Sequence, residues 1–300
     1  MSKPKIIVIV GQTASGKSDL AVQIAKKYNG EIISADSRQV YKGLNIGTGK
    51  ITKPEMQGIP HHLLDILSPQ KIFTAQNFKI KANKAIQNII KKNKLPIIAG
   101  GTAFYIDTLL YNISLPKIKA NPKLRKELSQ KTTTELFKIL KQKDKERSKT
   151  IDPNNPHRLI RALEIIEATN QPIPKTTKKE KYNSLKIGIQ INQENLIKNI
   201  NQRLNKRIKQ GLIKEVQNLH NKSLPAGRQG LSYKRMEELG LEYKYIAKFL
   251  KKEMTEQEMI KKLQTEIYKF AKRQMTWWKK DKDIHWIKTQ KEAEKMIKKF

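Results

Sequence analysis

The 300-residue chain contains no cysteine. That absence excludes a disulfide framework, thiolate zinc sites and a thiol nucleophile, and it fits a reducing, cytoplasmic setting. Long apolar runs are missing too, with none near the roughly eighteen residues a membrane-spanning helix needs. The N-terminal apolar run, Ile6 to Val10, follows Lys3 and Lys5 and passes straight into a glycine-rich loop. It is too short for the core of a secretion signal. Acidic residues are scarce: 27 Asp plus Glu face 62 Lys plus Arg, a formal net charge of +35. Self-repulsion on that scale is relieved by a polyanionic partner such as nucleic acid. The plain alternative is compositional drift, because Lys far outnumbers Arg and Asn and Ile are common.

What is present reads as alternating strand and helix over residues 5–110. Lys5–Val10 is a buried strand, followed by a glycine-rich turn and a helix from Lys17 to Tyr28. Glu31–Ser34 is a second strand, His61–Ile66 a further candidate, and Thr74–Asn93 has helical spacing in Phe78, Ala82, Ala85 and Ile89. Pro96–Ala99 is another strand, and a helix over Ala103–Leu110 follows Gly100-Gly101-Thr102. The pattern implies a parallel sheet with helices on both faces. Residues 112–183 lose the strand signals and show short basic helices between Pro and Asn breaks. Leu185–Ile191 then alternates as a strand, and after Gln193 the chain reads as mostly helical. The stripes Leu196/Ile200/Leu204/Ile208 and Ile260/Leu263/Ile267/Phe270 are expected to be core. The expected organisation is a core of 1–111 plus 184–300 and a helical insertion at 112–183.

The most specific motif is Gly11-Gln12-Thr13-Ala14-Ser15-Gly16-Lys17-Ser18, which satisfies G-x-x-x-x-G-K-[ST] between a strand and a helix. Gly11 and Gly16 let backbone amides turn inward around an anion, and the helix N-terminus adds its dipole. Lys17 supplies a point charge, and the Ser18 hydroxyl is a ligand for Mg²⁺. The loop calls for a di- or triphosphate without naming it. The fold class is therefore α/β, a P-loop NTPase-like parallel sheet core with an inserted all-helical domain.

Asp36 follows the second strand, so it belongs on the same rim as Lys17. It reads as a general base or metal-site ligand, with a surface or helix-capping aspartate as the alternative. The strand Pro96–Ala99 ends in Gly100-Gly101-Thr102 where an ATPase would carry an aspartate, and Asp65 is a weak substitute. That argues against an ATP motor or hydrolase and leaves a small-molecule kinase open. Thr102 reads equally as a helix cap or as a hydroxyl beside a ligand.

Taken in order, Gly11–Ala21, Ile32–Tyr41, Gly43–Lys50, Pro60–Ile66, Pro96–Leu110, Asp152–Glu164 and Lys272–Trp278 resemble the tRNA dimethylallyltransferase family over most of the chain, with a weaker middle at 112–150. The resemblance implies a P-loop core with a helical insertion, and a channel that admits dimethylallyl diphosphate from one side and a flipped adenine from the other. It implies transfer of the dimethylallyl group to the exocyclic amine of the adenosine immediately 3′ of the anticodon. Asp36 then matches the general base. Lys17, the loop amides and Mg²⁺ at Ser18 hold the departing diphosphate, and Arg207 matches a catalytic arginine. Asp36, Ser37, Arg38, Gln39, Thr102, Arg125, His157, Arg158, Leu159, Ile160 and Arg161 match positions toward the tRNA anticodon stem-loop. A bacterial-type enzyme is implied, since without cysteine the zinc finger of eukaryotic members is absent, and a monomer is expected. Leu224–Gly230 and the segment after it depart from the family's commonest pattern.

The residues alone leave other readings open. Arg203 and Arg207 flank an apolar stripe, and the residues alone favour reading them as solvated. His157, Arg158 and Arg161 share a basic helix face that suits water or phosphate. Trp277 and Trp278 read as packing residues. A small-molecule kinase, an adenylate prenyltransferase and an RNA-binding protein with a decayed loop are the rivals. The charge and the insertion count against the first, the basic surface against the second, and the intact Gly16-Lys17-Ser18 with Asp36 against the third.

Overall fold

The structure, a computed structural model, describes residues 2–116, 118–174, 179–221 and 230–300. The departure noted at Leu224–Gly230 falls almost wholly outside them. β1 (Lys5–Gly11) leads through a tight loop into α1 (Lys17–Lys27) and β2 (Gly30–Ser34). The short α2 (Lys53–Met56) precedes β3 (His61–His62), then come α3 (Ala75–Lys91), β4 (Leu95–Ala99) and α4 (Ala103–Leu110). Next are α5 (Pro122–Leu128), α6 (Thr133–Lys143), α7 (Lys145–Ser148) and α8 (Pro156–Thr169). The sheet resumes with β5 (Asn183–Ile189). Helices α9 (Gln193–Lys209), α10 (Leu212–Asn221), α11 (Tyr233–Leu239), α12 (Leu241–Leu250) and α13 (Glu256–Trp278) lead to β6 (Ile284–Ile287) and α14 (Gln290–Lys299).

All six strands run parallel in the order β3-β2-β4-β1-β5-β6. Such a sheet needs cover on both faces, and β1 shows how the sequence provides it. Ile6, Val8 and Val10 face a cluster with Phe78, Ile86 and Leu109, while Ile7 and Ile9 face Leu20, Ile24 and Ile297. The expected strand His61–Ile66 stops after two residues. Leu63 (φ 66°) and Asp65 (φ 54°) are left-handed, a conformation no strand accommodates. Asp65 instead pairs with the buried Lys50 Nζ at 2.5 Å. The C-terminal part is not wholly helical, for β6 pairs with β5 from Lys186↔Ile284 to Ile189↔Ile287. Gly188 makes room for it: a Cβ there would lie 2.7 Å from the Trp286 ring.

The chain divides into two compact units, Met1–Asn112 with Lys179–Phe300, and Ile113–Lys178. The sheet unit therefore takes back Lys179–Asn183, and Tyr182 is buried with its hydroxyl 2.5 Å from Asn83 Oδ1. The helical unit has its own core of Leu128, Leu136, Leu140, Leu159, Leu163 and Ile166. Inside it Glu164 is 1% exposed and accepts from Arg125 Nε and Nη2 at 2.8 Å each, from the Asn121 amide at 2.6 Å, and from Arg161. Burial alone would raise this carboxyl, but the Arg125 and Arg161 guanidiniums and the Asn121 amide hold it at about 2.

Candidate active site

In an open parallel sheet the ligand crevice lies beyond the carboxyl ends of the strands. β1, β2 and β4 end level there, with Ile9 and Ser34 both paired with Ala99. The chain turns beyond those ends enclose a cleft of about 380 Å³, walled by Thr13–Asp19, by Asp36, Gln39 and Gly49, and by Gly100-Gly101. Asn199 and Arg203 from α9 and Phe270 and Gln274 from α13 complete it. Phe270, expected in the core, is thus a cleft wall.

The phosphate loop has the shape its glycines permit. Gly11 (φ 146°) and Gly16 (φ 87°) adopt positive φ, outside the region open to most residues, and Ala14 adopts φ 62°. Gly11 and the buried Gln12 stand behind the cleft, while Thr13 to Ser18 line it. Gln12 Nε2 donates to the Ala271 carbonyl at 3.2 Å, and Asn199 Nδ2 donates to the Ala14 carbonyl at 3.1 Å. The buried Gln274 ties the loop to the β4 turn, accepting from the Thr13 amide at 2.8 Å and donating to the Gly101 carbonyl at 3.0 Å. The Thr13 amide is thereby committed, which leaves the amides that open α1 to face an anion. Ser15 Oγ is buried without a hydrogen-bond partner among the described residues, a hydroxyl placed to donate to an anion in the loop.

Lys17 donates to the Gln12 carbonyl. Enclosure by protein, and then the Arg203 guanidinium, lower its pKa to about 7, against a smaller opposing pull from Asp36. Arg203 forms no hydrogen bond or ion pair among the described residues and lies open in the cleft. Arg207, the arginine singled out from the sequence, does not line the cleft. It forms an ion pair with Glu242 Oε1 at 3.1 Å, both side chains nearly buried. Its guanidinium covers Gly49, where a Cβ would lie 1.7 Å from Nη2. On α9 the two arginines are one turn apart, and the more N-terminal one reaches the anion side.

Asp36 lines the same cleft. Its Oδ1 accepts from the Arg38 amide at 2.7 Å and the Gln39 amide at 3.1 Å. Oδ2 has no partner among the described residues, and Asp36 lines the cleft. Gln39 continues the brace, donating to the Gly49 carbonyl at 3.3 Å. Gly100 lets the β4 turn pass beneath, because a Cβ would sit 2.3 Å from the Ala35 carbonyl oxygen. Thr102 does not cap α4 with its side chain. Its Oγ1 accepts from the Ser37 amide at 3.1 Å, binding the two turns together. Arg38 reaches away to the Leu239 carbonyl at 2.6 Å. Asp36, Gln39 and Lys17 are thus brought together, whereas Arg38 is a brace for α11.

In the helical unit, Asn155 caps α8 and places His157 and Arg158 on its exposed first turn. Leu159 is fully buried, so its side chain meets the unit's core and no ligand, and Ile160 packs against the same cluster. Arg125 and Arg161 are engaged by Glu164, with Arg161 also donating to the Ile118 carbonyl at 2.9 Å. Their first task is to neutralise a buried carboxylate.

Missed from the sequence were Gln274, Asn199, Arg203's orientation and Phe270. Gln274 did leave a signal, for it is a polar residue in the buried stripe Met259, Leu263, Ile267, Ala271, Trp278.

Similarity to known proteins converges on one family. The model of the IPP transferase family matches residues 39–281. The tRNA dimethylallyltransferase of Staphylococcus epidermidis is 40% identical over 308 residues, covering 99% of this chain and 90% of that protein. That of a Thermoanaerobacter species is 41% identical over 94% of this chain and 91% of its own length. Among solved structures, the tRNA delta(2)-isopentenylpyrophosphate transferase of Staphylococcus epidermidis superposes with TM-score 0.70 at 37% identity, covering 99% of each chain. A eukaryotic dimethylallyltransferase acting on tRNA superposes with TM-score 0.76 at 27% identity, over 95% of this chain and 74% of that one. By the family-model match over most of its length and by relatives about 40% identical along nearly the whole chain, the chain belongs to the IPP transferase family.

Proposed function

We propose that this cleft transfers a dimethylallyl group from dimethylallyl diphosphate to the exocyclic N6 amine of the adenosine immediately 3′ of the anticodon in tRNA. The observation that carries the reading is the pairing of opposites in one cavity. Lys17, Arg203 and the loop of Thr13–Ser18 line the same cavity as Asp36, whose Oδ2 has no partner among the described residues. In the reaction the allylic C1–O bond breaks and a C1–N6 bond forms. The diphosphate leaves with the bonding pair, and the N6 proton passes to Asp36.

The chemistry suits these groups. An exocyclic amine is a weak nucleophile because its lone pair is delocalised into the ring, so a carboxylate to take its proton as the C–N bond forms accelerates the step. An allylic diphosphate ionises readily once its charge is neutralised, which is the task of Lys17, Arg203 and the α1 amides. Among the described residues no three acidic or histidine side chains converge on a metal. The Ser18 hydroxyl in the cleft does fit an Mg²⁺ carried in by the diphosphate, since that ion keeps waters and substrate oxygens as most of its ligands. Bound there, Mg²⁺ would offset leaving-group charge. The acceptor adenine must leave the stack, which a loop base resists less than a paired one. The net charge of +35 suits a polyanionic acceptor.

The test is incubation with labelled dimethylallyl diphosphate and Mg²⁺ in the presence of tRNA, AMP or a small-molecule acceptor with ATP. Label in tRNA is expected. Label in AMP alone would make the protein an adenylate prenyltransferase, and phosphate transfer from ATP would make it a kinase.

A further inference from the structure

The seam between α4 and α13 starts in the cleft and continues beyond it. At its inner end Gln274 grips the Gly101 carbonyl. One helical turn outward, about 5 Å along the axis, Trp277 meets Phe104 edge to face with ring centroids 6.5 Å apart and planes at 69°. Phe104 is 43% exposed and is the one aromatic among the strongly exposed large apolar side chains of the described residues. Trp277 is fixed behind it, its indole Nε1 donating to Asp107 Oδ2 at 2.9 Å. Arg273, at i−4 from Trp277, shares its helix face, and Lys280 follows in the turn just past the end of α13. Both are exposed, and neither forms an ion pair among the described residues.

A lone exposed phenylalanine needs no explanation. This one stands three residues beyond Gly101, which lines a cleft read as taking a flipped base, and packs on a fixed indole whose helix also carries the exposed Arg273. We infer that the Phe104 ring is a stacking platform for the base neighbouring the target adenine in the anticodon loop, with Arg273 and Lys280 on the flanking phosphates. The inference rests on the proposed reaction. Aromatic rings hold unpaired bases by stacking, while cations follow the backbone. Adjacent bases lie about 3.4 Å apart along a stacked strand and further when splayed, so one turn of α13 spans the step from a flipped base to its neighbour. The platform keeps the loop open while the adenine is inside, and it acts on acceptor binding without touching the donor.

Binding and transfer are measured with an anticodon stem-loop RNA for the wild type, Phe104→Ala and Phe104→Tyr. Phe104→Ala is expected to weaken stem-loop affinity by about 5- to 150-fold, the span for one stacked base, with donor affinity and thermal midpoint unchanged. Phe104→Tyr, which keeps the π-face, is expected to restore it. With an abasic residue at the flanking position, the two losses are expected not to add. Unchanged affinity in Phe104→Ala, or an undiminished loss on every abasic RNA, would overturn the platform while wild-type transfer upholds the reaction. Absence of transfer by the wild type would overturn the reaction first, and the platform with it.

Discussion

Donor binding should be coupled to protonation of Lys17. In the free protein, enclosure and Arg203 place this ammonium at about 7. A diphosphate in the loop replaces the lost solvation with negative charge and returns the group toward its ordinary range. Only the protonated form then binds the donor well, so the apparent Kd scales as 1 + 10^(pH − 7) until the pKa of the complex is reached. From about pH 7 to about pH 9 the affinity should fall by roughly 50-fold. The donor's own last phosphate ionisation lies near pH 6 and stays out of this window. Titration calorimetry with an uncleavable thiolo analogue of the donor, in buffers of different ionisation enthalpy, reads the linkage directly. Proton uptake should be about 0.5 per donor near pH 7 and about 0.9 near pH 8. Lys17→Met should flatten both curves. Equal affinity across the window in the wild type, with no proton uptake, would refute the placement of Lys17 against the diphosphate.

Asp36→Asn should lower the transfer rate by about 10²- to 10⁴-fold with donor affinity nearly intact, and a large loss of donor affinity instead would make Asp36 a metal ligand. Arg203→Ala should lower turnover by about 10²- to 10³-fold at unchanged thermal midpoint. Arg207→Ala should behave oppositely, costing about 3–5 kcal/mol of stability because it strands the buried Glu242, which chemical denaturation measures. Acid should act on the helical unit through Glu164, whose folded pKa is about 2 against an ordinary 4.5. Its contribution is fully present above the ordinary value and is lost as pH falls from there toward about 2, so far-ultraviolet circular dichroism of Glu164→Gln should show less acid dependence than the wild type.

Much of this fold was legible because a buried parallel strand has a loud signature. The apolar runs of β1, β2 and β4, bounded by Gly and Asp, stand out from a lysine-rich background. β6 did not, since four residues inside a charged stretch have no periodicity to read. β3 was overread because Leu63 and Asp65 look like strand residues until their φ values are known. The phosphate loop and Asp36 were legible from order alone, as strand ends in such a sheet meet at one rim. Arg203 and Arg207 could not be told apart, because they share a helix face and the deciding partner, Glu242, comes from a distant helix. Arg125 and Arg161 looked like free cations for the same reason, their shared carboxylate being thirty-nine and three residues away.

The most direct test of the central claim is single-turnover transfer from bound donor to two anticodon stem-loops, one with adenine 3′ of the anticodon and one with purine, which lacks the exocyclic amine. Nucleoside mass spectrometry and diphosphate release are followed together. One dimethylallylated adenosine per diphosphate is expected with the first RNA and no transfer with the second. Transfer to the purine RNA, or modification at any atom other than N6, would contradict the assignment of Asp36 and the phosphate loop to the two ends of one reaction.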